Sequence, residues 1–201
     1  MSVLVHSPAF FDGNIWFCKV KKDVMQNVNR KKSEIVNSLE GKEKIRVLFV
    51  CLGNICRSPA AEGIMRSVVE EGGEASRWEI DSAGMGGWHI GELPDSRMRV
   101  HARRRGYELD HRARQVKEAD FDHYDLIVGM DSSNVAALER MAPTLEAKAR
   151  VVPMAMWFDT ISTRYDHVPD PYYEGAEGFE LVLDLLEAAL RSLFTSVRVG
   201  G

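Results

Sequence analysis

A short apolar strand that ends in a polar loop constrains this chain more than any other feature. Residues 47–50 are apolar without interruption, which is typical of a parallel strand buried on both faces. The loop 51–57 follows at once. Next come Ser58, a good N-cap residue, and Pro59, which suits the first helical position. The sequence therefore predicts a strand, a tight loop and a helix that begins near Ser58.

The loop is suited to binding an oxyanion. Five residues separate Cys51 from Arg57, which lets the backbone curl so that successive N–H groups point inward, beside the positive end of a helix. The same field favours a thiolate at Cys51, and the guanidinium of Arg57 can bind two phosphate oxygens. Gly53 and Asn54 tolerate unusual backbone angles, and we expect Asn54 to be left-handed. A phosphate cradle with a sulfur nucleophile is therefore predicted, and a cysteine that merely packs is the alternative.

The string CLGNICRSP at residues 51–59 resembles the signature of the low-molecular-weight protein tyrosine phosphatases. The resemblance extends from about residue 45 to about residue 194 and includes DSAG at 81–84, HRARQ at 111–115 and DPYY at 170–173. It implies a protein phosphatase that hydrolyses phosphotyrosine and needs no metal or other cofactor.

The resemblance also implies roles for individual side chains. Cys51 would attack phosphorus and form a phosphocysteine, Arg57 would bind the phosphate, and Asp170 would protonate the leaving phenolate and later activate water. The expected substrate-binding residues are Leu52, Gly53, Asn54, Ile55, Cys56, Ser58, Trp88, Tyr172 and Tyr173.

Three further residues are expected to support the loop. By the resemblance, Ser82 and His111 would share hydrogen bonds with Asn54 and Ser58. Asp131 follows a predicted strand, a position typical of a helix N-cap, and in the family it also lies near the loop arginine. From the residues alone, His111 is a structural histidine rather than a general base, and DPYY is an ordinary turn.

The substrate is indicated by Ile55 and an aromatic rim. Relatives that resemble arginine phosphatases carry a smaller threonine at this position, so the bulk of Ile55 argues for phosphotyrosine. Trp88, Tyr172 and Tyr173 would accept a flat phenyl ring.

Two other functions stay open. One is an arsenate reductase, whose thioredoxin-linked forms need cysteines downstream of Cys56 that the sequence lacks, and the other is a phosphate-binding module without turnover.

Predicted helices and strands alternate along the rest of the chain. We expect strands at 78–81, 126–130 and 150–154 and helices at 58–71, 94–105, 132–141 and 178–194. This alternation predicts an α/β fold, a doubly wound four-stranded parallel sheet with helices on both faces. Ligands of such sheets bind at the carboxyl ends of the strands, where the Cys51 loop lies.

The chain is expected to hold one catalytic domain with a segment on each side. We place an N-terminal extension, flexible or partly helical, at 1–44, the phosphatase domain at 45–194 and a C-terminal tail at 195–201. The first 17 residues have no basic lead and make a poor signal peptide. Because every motif lies beyond the extension, removal of residues 1–40 is expected to leave the domain folded and active.

Composition excludes several classes of partner. With 201 residues, 45% of them hydrophobic, and a formal charge of −4, the chain is ordinary for a soluble protein. No apolar run reaches membrane-spanning length, and the charges of the basic run 97–105 would spread around a helix rather than bind nucleic acid.

Three cysteines, Cys18, Cys51 and Cys56, fit a reducing cytoplasm. The expected partner is a tyrosine-phosphorylated protein, and the expected state of the chain is a monomer or weak dimer. Cys56 could trap an oxidised Cys51 as a disulfide, and the alternative is that Cys56 only fills space in the core.

Overall fold

The computed structural model describes the backbone of residues 13–158 and 164–199 and the side chains of residues 26–158 and 164–198. Within these residues, β1 (Ile45–Cys51), β2 (Trp78–Gly84), β3 (Leu126–Gly129) and β4 (Val151–Pro153) form a sheet of order β2-β1-β3-β4. All three strand pairs are parallel. The helices are α1 (Gly13–Leu39), α2 (Arg57–Glu71), α3 (Ser96–Arg104), α4 (Asp120–His123), α5 (Ser132–Met141), α6 (Leu145–Ala149) and α7 (Ala176–Val199). The predicted four-stranded parallel α/β fold is confirmed.

Strand β1 lies at the centre of the molecule, with helices on both of its faces. Val47 and Phe49 are fully buried in a core cluster with α2 and α7. Leu48 and Val50 are fully buried in a second cluster, which contains Leu138 of α5. Successive side chains of a strand point to opposite faces, so burial on both sides fixes β1 and the loop at its carboxyl end.

Several predicted elements have different ends in the structure. β2 extends to Gly84, three residues beyond the predicted end, because it pairs with β1 up to Cys51↔Gly84. α3 begins at Ser96 rather than at residue 94, after an N-cap carboxylate that accepts a backbone hydrogen bond. The predicted end of α7 at Phe194 was wrong. The helix continues to Val199 and includes residues 195–199, which the sequence had placed in a tail.

The start of α2 also differs from the prediction. The helix begins at Arg57, and Cys56 occupies the N-cap position without a side-chain capping hydrogen bond. The prediction of Ser58 as the N-cap was wrong because its hydroxyl is buried inside the loop, 3.0 Å from the sulfur of Cys51. The first turn of α2 is thus not neutralised by a side-chain cap, and its positive end faces the loop.

The carboxyl-terminal part of α1 packs against the domain. Leu39 is fully buried and Ile35 is 8% exposed, both in the core cluster of α2 and α7. Lys31 Nζ donates a hydrogen bond of 3.1 Å to the carbonyl of Val151, the first residue of β4. This part of α1 therefore lies at the amino ends of the strands, opposite the Cys51 loop. In the described part of the chain, none of the helices is both long and apolar enough to cross a bilayer.

This packing argues against the expectation that residues 1–40 are dispensable for stability. We expect Leu39→Ala to lower the free energy of unfolding by about 2–5 kcal/mol, because it leaves a cavity in the core. Removal of residues 1–40 also takes Leu39 away and should cost at least as much. Val28→Ala, on an exposed position of the same helix, is the control, with an effect within about 0.5 kcal/mol. Urea unfolding measures all three, and equal midpoints for Leu39→Ala and the full wild-type chain would contradict the packing role.

Candidate active site

The sulfur of Cys51 lies at the centre of the loop. Cys51 ends β1 and is buried, with Sγ 3.0 Å from the Ser58 hydroxyl and 3.3 Å from the backbone nitrogen of Asn54, whose N–H points at the sulfur. Asn54 has φ of 57°, so the predicted left-handed conformation is confirmed. When the sulfur is a thiolate, both groups donate hydrogen bonds to it. Hydrogen bonding of this kind stabilises the charged form.

The side chain of Asn54 holds the curl of the loop in place. Its Nδ2 donates to the hydroxyls of Ser58 at 3.0 Å and Ser82 at 2.9 Å. Its Oδ1 accepts from the backbone N–H of Arg114 at 2.9 Å and lies 3.2 Å from His111 Nε2. Because the amide is buried and fully hydrogen-bonded, it can offset the cost of a left-handed non-glycine residue. Ser82 and His111 thus both contact the side chain of Asn54, as the family resemblance implies.

Glu62 also belongs to this network, but its role was not predicted from the sequence. It lies on α2 and is almost completely buried, with Oε2 accepting from the Ser82 hydroxyl at 2.7 Å and lying 3.2 Å from His111 Nδ1. The two ring nitrogens of His111 therefore face oxygen atoms of Asn54 and Glu62, both of which are structural partners. Arg66 pairs with the other oxygen of Glu62 at 2.8 Å. A glutamate on a helix is normally exposed, so nothing local in the sequence marked its burial.

One group of described residues has donor atoms close enough together to hold a cation. These are Glu62, Asp81 and His111, whose ligand atoms lie within 4.8 Å of one another. However, Asp81 already accepts hydrogen bonds from Arg114 at 2.8 Å and from the Tyr124 hydroxyl at 2.9 Å. The cluster is accounted for by these pairs.

Arg57 is buried between two carboxylates. Its Nη1 lies 2.6 Å from Asp131 Oδ2, and its Nη2 lies 2.6 Å from Asp170 Oδ2. Burial opposes the charge of the guanidinium, but the neighbouring Cys51 and Asp170 and the hydrogen bond to Asp131 together raise the pKa of Arg57 above its ordinary value. The arginine is therefore a fixed positive charge at the loop.

Asp131 serves two elements at once. As predicted, it caps α5, where Oδ1 accepts from the backbone N–H of Asn134 at 2.8 Å. Burial tends to raise its pKa, but hydrogen bonds from Ser133, Asn134 and Arg57 outweigh this and lower the pKa below the ordinary value. The Asp131 carboxylate therefore holds one nitrogen of the guanidinium, while Asp170 holds the other.

A cleft of about 240 Å³ opens over the loop. Its lining consists of Cys51, Leu52, Gly53, Ile55, Cys56, Arg57, Trp88, His89, Asp170, Tyr172 and Tyr173. Asn54 and Ser58, which the sequence placed among the substrate-binding residues, do not line the cleft, because both are fully buried behind the sulfur. His89 lines it but was missed. It lies beside Gly53, and its Nδ1 is 2.7 Å from the carboxylate of Glu92.

Aromatic side chains form the rim of the cleft. Tyr172 and Tyr173 meet edge to face with ring centroids 5.0 Å apart, and Trp88 is 71% exposed. The indole of Trp88 lies against Gly86, where an added Cβ would come within 1.8 Å of the ring. Gly86 is therefore required for this position of the indole. The rim leaves an apolar opening suited to a flat ring.

Cys56 is the second buried thiol of the loop. Burial raises its pKa strongly, and the negative charges of Asp95 and Cys51 act in the same direction. Cys56 is therefore a neutral thiol in the same loop as Cys51.

Comparison with known proteins agrees with this geometry. The family model described as low molecular weight phosphotyrosine protein phosphatase matches residues 46–200, so α1 lies outside the match. The low molecular weight protein-tyrosine-phosphatase of Streptomyces coelicolor is 45% identical over 153 residues, which are 76% of this chain and 93% of that protein.

Solved structures give the same picture. A crystal structure of a protein tyrosine phosphatase from Entamoeba histolytica, with Hepes in its active site, has a TM-score of 0.75 and 40% identity and covers 78% of this chain and 99% of its own. A crystal structure of a Drosophila arginine phosphatase has a TM-score of 0.69 and 29% identity over 75% of this chain and 96% of its own. The chain belongs to the low molecular weight phosphotyrosine protein phosphatase family.

Proposed function

We propose that this protein is a protein tyrosine phosphatase that hydrolyses phosphotyrosine in protein substrates through a phosphocysteine at Cys51. One observation carries the proposal. A buried sulfur that accepts an N–H hydrogen bond, a guanidinium and a carboxyl group meet in a single cleft, where Arg57 lies 2.6 Å from Asp170. These are the nucleophile, the anion-binding group and the proton donor that cleavage of a phosphate monoester needs.

In the first step, the thiolate of Cys51 attacks phosphorus in line with the aryl oxygen. A sulfur–phosphorus bond forms, the bond from phosphorus to the aryl oxygen breaks, and its electron pair goes to that oxygen. Asp170 gives the oxygen a proton, since a phenolate is a poor leaving group. Arg57 keeps its orientation through Asp131 while its other nitrogen leaves Asp170 and binds the phosphate.

In the second step, water hydrolyses the phosphocysteine. Asp170, now a carboxylate, takes a proton from the water as its oxygen attacks phosphorus. The sulfur–phosphorus bond breaks, and inorganic phosphate and the thiolate are released. The Ser58 hydroxyl, 3.0 Å from the sulfur, and the Asn54 N–H stabilise the departing thiolate.

The walls of the cleft favour an aryl substrate. Ile55 packs against the core and lines the cleft, while Trp88, Tyr172 and Tyr173 offer aromatic surfaces to a phenyl ring. A similar Drosophila protein is an arginine phosphatase, so phosphoarginine is the substrate to compare. The bulk of Ile55, where relatives resembling arginine phosphatases carry threonine, argues for phosphotyrosine in this chain.

The test is an assay of phosphotyrosine, phosphoserine and phosphoarginine peptides side by side, with a chelator present and no added metal. We expect phosphotyrosine to be hydrolysed fastest by a wide margin. Faster release of phosphate from phosphoserine or phosphoarginine would overturn the assignment, and binding of phosphate without any turnover would favour a phosphate-binding module.

We further propose that the enzyme works in the cytoplasm as a monomer or weak dimer. A thiolate nucleophile beside a second thiol must stay reduced, which the cytoplasm ensures. An open cleft with exposed aromatic residues allows a folded phosphoprotein to reach Cys51. Cell fractionation and sedimentation test these points, and a stable oligomer that persists on dilution would contradict the second.

Mild peroxide is expected to inactivate the enzyme reversibly. Peroxide converts the Cys51 thiolate to a sulfenic acid, and the Cys56 thiol then attacks that sulfur, so that a disulfide forms and water leaves. Thiol reductant should restore activity. Cys56→Ser should recover less, because Cys51 can then oxidise further, and Cys18→Ser should recover like the wild type. Peptide mapping checks the bond, and Cys51 bonded only to Cys18 would contradict this pairing.

A further inference from the structure

A line of stacked side chains leads from the rim of the cleft to α7. The guanidinium carbon of Arg97, on α3, lies 5.3 Å from the ring centroid of Tyr172 and 4.9 Å from that of Phe179. His101 stacks on Phe179 with centroids 5.6 Å apart and planes 8° apart, and it hydrogen-bonds Glu180. We call Tyr172, Arg97, Phe179 and His101 the Arg97 stack. Arginine over an aromatic face is attracted by the negative charge of the ring.

The inner end of the Arg97 stack is fixed to the domain. Phe179 is 1% exposed and belongs to the core cluster of α2 and α7. Arg97 itself is held by a fork of two hydrogen bonds to Asp95, from Nε at 3.1 Å and from Nη2 at 2.8 Å. The backbone N–H of Asp95 in turn donates to the carbonyl of Ile55 at 2.8 Å. Arg97 is therefore anchored both to α7 and to the Cys51 loop.

The outer end of the Arg97 stack reaches Asp170. The backbone N–H of Tyr172 donates to Asp170 Oδ1 at 3.1 Å, while Arg57 holds Oδ2 at 2.6 Å. When the guanidinium of Arg57 turns to a phosphate, the Tyr172 N–H is the contact that still orients the carboxyl group. The orientation of the acid then depends on how firmly Tyr172 is held, and the ring of Tyr172 is held by Arg97.

We propose that Arg97 is a positioning residue for the reaction: it fixes the ring of Tyr172 as a wall of the cleft, and through the Tyr172 N–H it aims the carboxyl group of Asp170 at the leaving oxygen. This inference rests on the proposed function. Only the planar guanidinium can make a two-bonded fork to Asp95 while its central carbon lies over two rings, so lysine is a partial substitute at this position.

Arg97→Met tests the inference through the leaving group. We expect formation of the phosphoenzyme from phosphotyrosine to slow about tenfold, because a misaligned acid matters most for a poor leaving group. An aryl phosphate with a much more acidic phenol should slow by less than about threefold in the same step. Arg97→Lys should lie between Arg97→Met and the wild type for phosphotyrosine.

The matched control is Arg103→Met, which removes another cation from the exposed side of α3. Arg103 pairs with Glu108 at 2.7 Å, away from the cleft, and its loss should change neither rate. Equal slowing of both substrates by Arg97→Met, or no slowing of either, would overturn the inference. If Arg97→Met does not fold, the test is the ratio of the rates of phosphoenzyme formation from the two substrates in Arg97→Lys.

A double variant separates an effect through Asp170 from a general loss of structure. In an Asp170→Ala background there is no carboxyl group to orient. Arg97→Met should then no longer slow phosphotyrosine more than the aryl phosphate with the more acidic phenol. If Arg97→Met still slows phosphotyrosine more than the other substrate in the absence of Asp170, the inference is overturned. A wild-type enzyme that does not cleave phosphotyrosine would instead refute the proposed function, so the two failures are distinguishable.

Discussion

Replacement of Cys51 by serine is expected to lower turnover of phosphotyrosine to less than about a hundredth of the wild-type value. Serine is a far weaker nucleophile and cannot form the phosphocysteine. Binding of inorganic phosphate should persist, because Arg57 and the backbone N–H groups of the loop are unchanged. Steady-state kinetics and calorimetric titration with phosphate measure the two effects.

Cys18→Ser is the control for the loss of a thiol and should retain full turnover. Residual activity of Cys51→Ser well above a hundredth would mean that another group attacks phosphorus. Loss of both turnover and phosphate binding would show that the sulfur shapes the cradle rather than reacting.

The second large effect concerns Asp170. We expect Asp170→Ala to slow phosphoenzyme formation from phosphotyrosine by about a hundredfold or more, the usual range for a lost general acid. The phenol of tyrosine has a pKa of about 10, so its oxygen leaves poorly without a proton. An aryl phosphate with a much more acidic phenol should lose less at the same pH.

The comparison must follow the first chemical step, because Asp170 also assists hydrolysis in the second. A burst of phenol release, recorded by stopped flow, isolates that step. Equal losses for both substrates would remove Asp170 from the acid role and leave the segment 170–173 as a turn that shapes the cleft.

Features that depend on local sequence were predicted well. The apolar strand, the loop with its left-handed Asn54 and the cap at Asp131 follow from backbone preferences and short-range hydrogen bonds. The order of alternating elements was enough to predict a parallel sheet with the loop at its carboxyl edge. Local reasoning failed at Ser58, because its hydroxyl has a competing partner in the sulfur of Cys51.

Features that depend on contacts between distant residues were not predictable. Glu62 is buried only because Ser82 and His111 arrive from other elements to bind it. From the sequence, Arg97 is expected to be a surface arginine of a basic helix. Its contacts with the rings of Tyr172 and Phe179 appear only in the structure. The packing of α1 through Ile35 and Leu39 was missed for the same reason, since a few apolar residues in a polar segment do not reveal which core they join.

If the phosphoryl group passes through Cys51, acid quenching during turnover will trap it on that residue. Mixing the enzyme with a phosphotyrosine peptide, quenching within the burst and mapping the protein by mass spectrometry locates any covalent phosphate. We expect a phosphoryl group on the peptide that contains Cys51. It should be absent in Cys51→Ser and more abundant when hydrolysis of the intermediate is slowed. Turnover without a phosphoenzyme, or with the phosphoryl group on any other residue, would contradict this expectation.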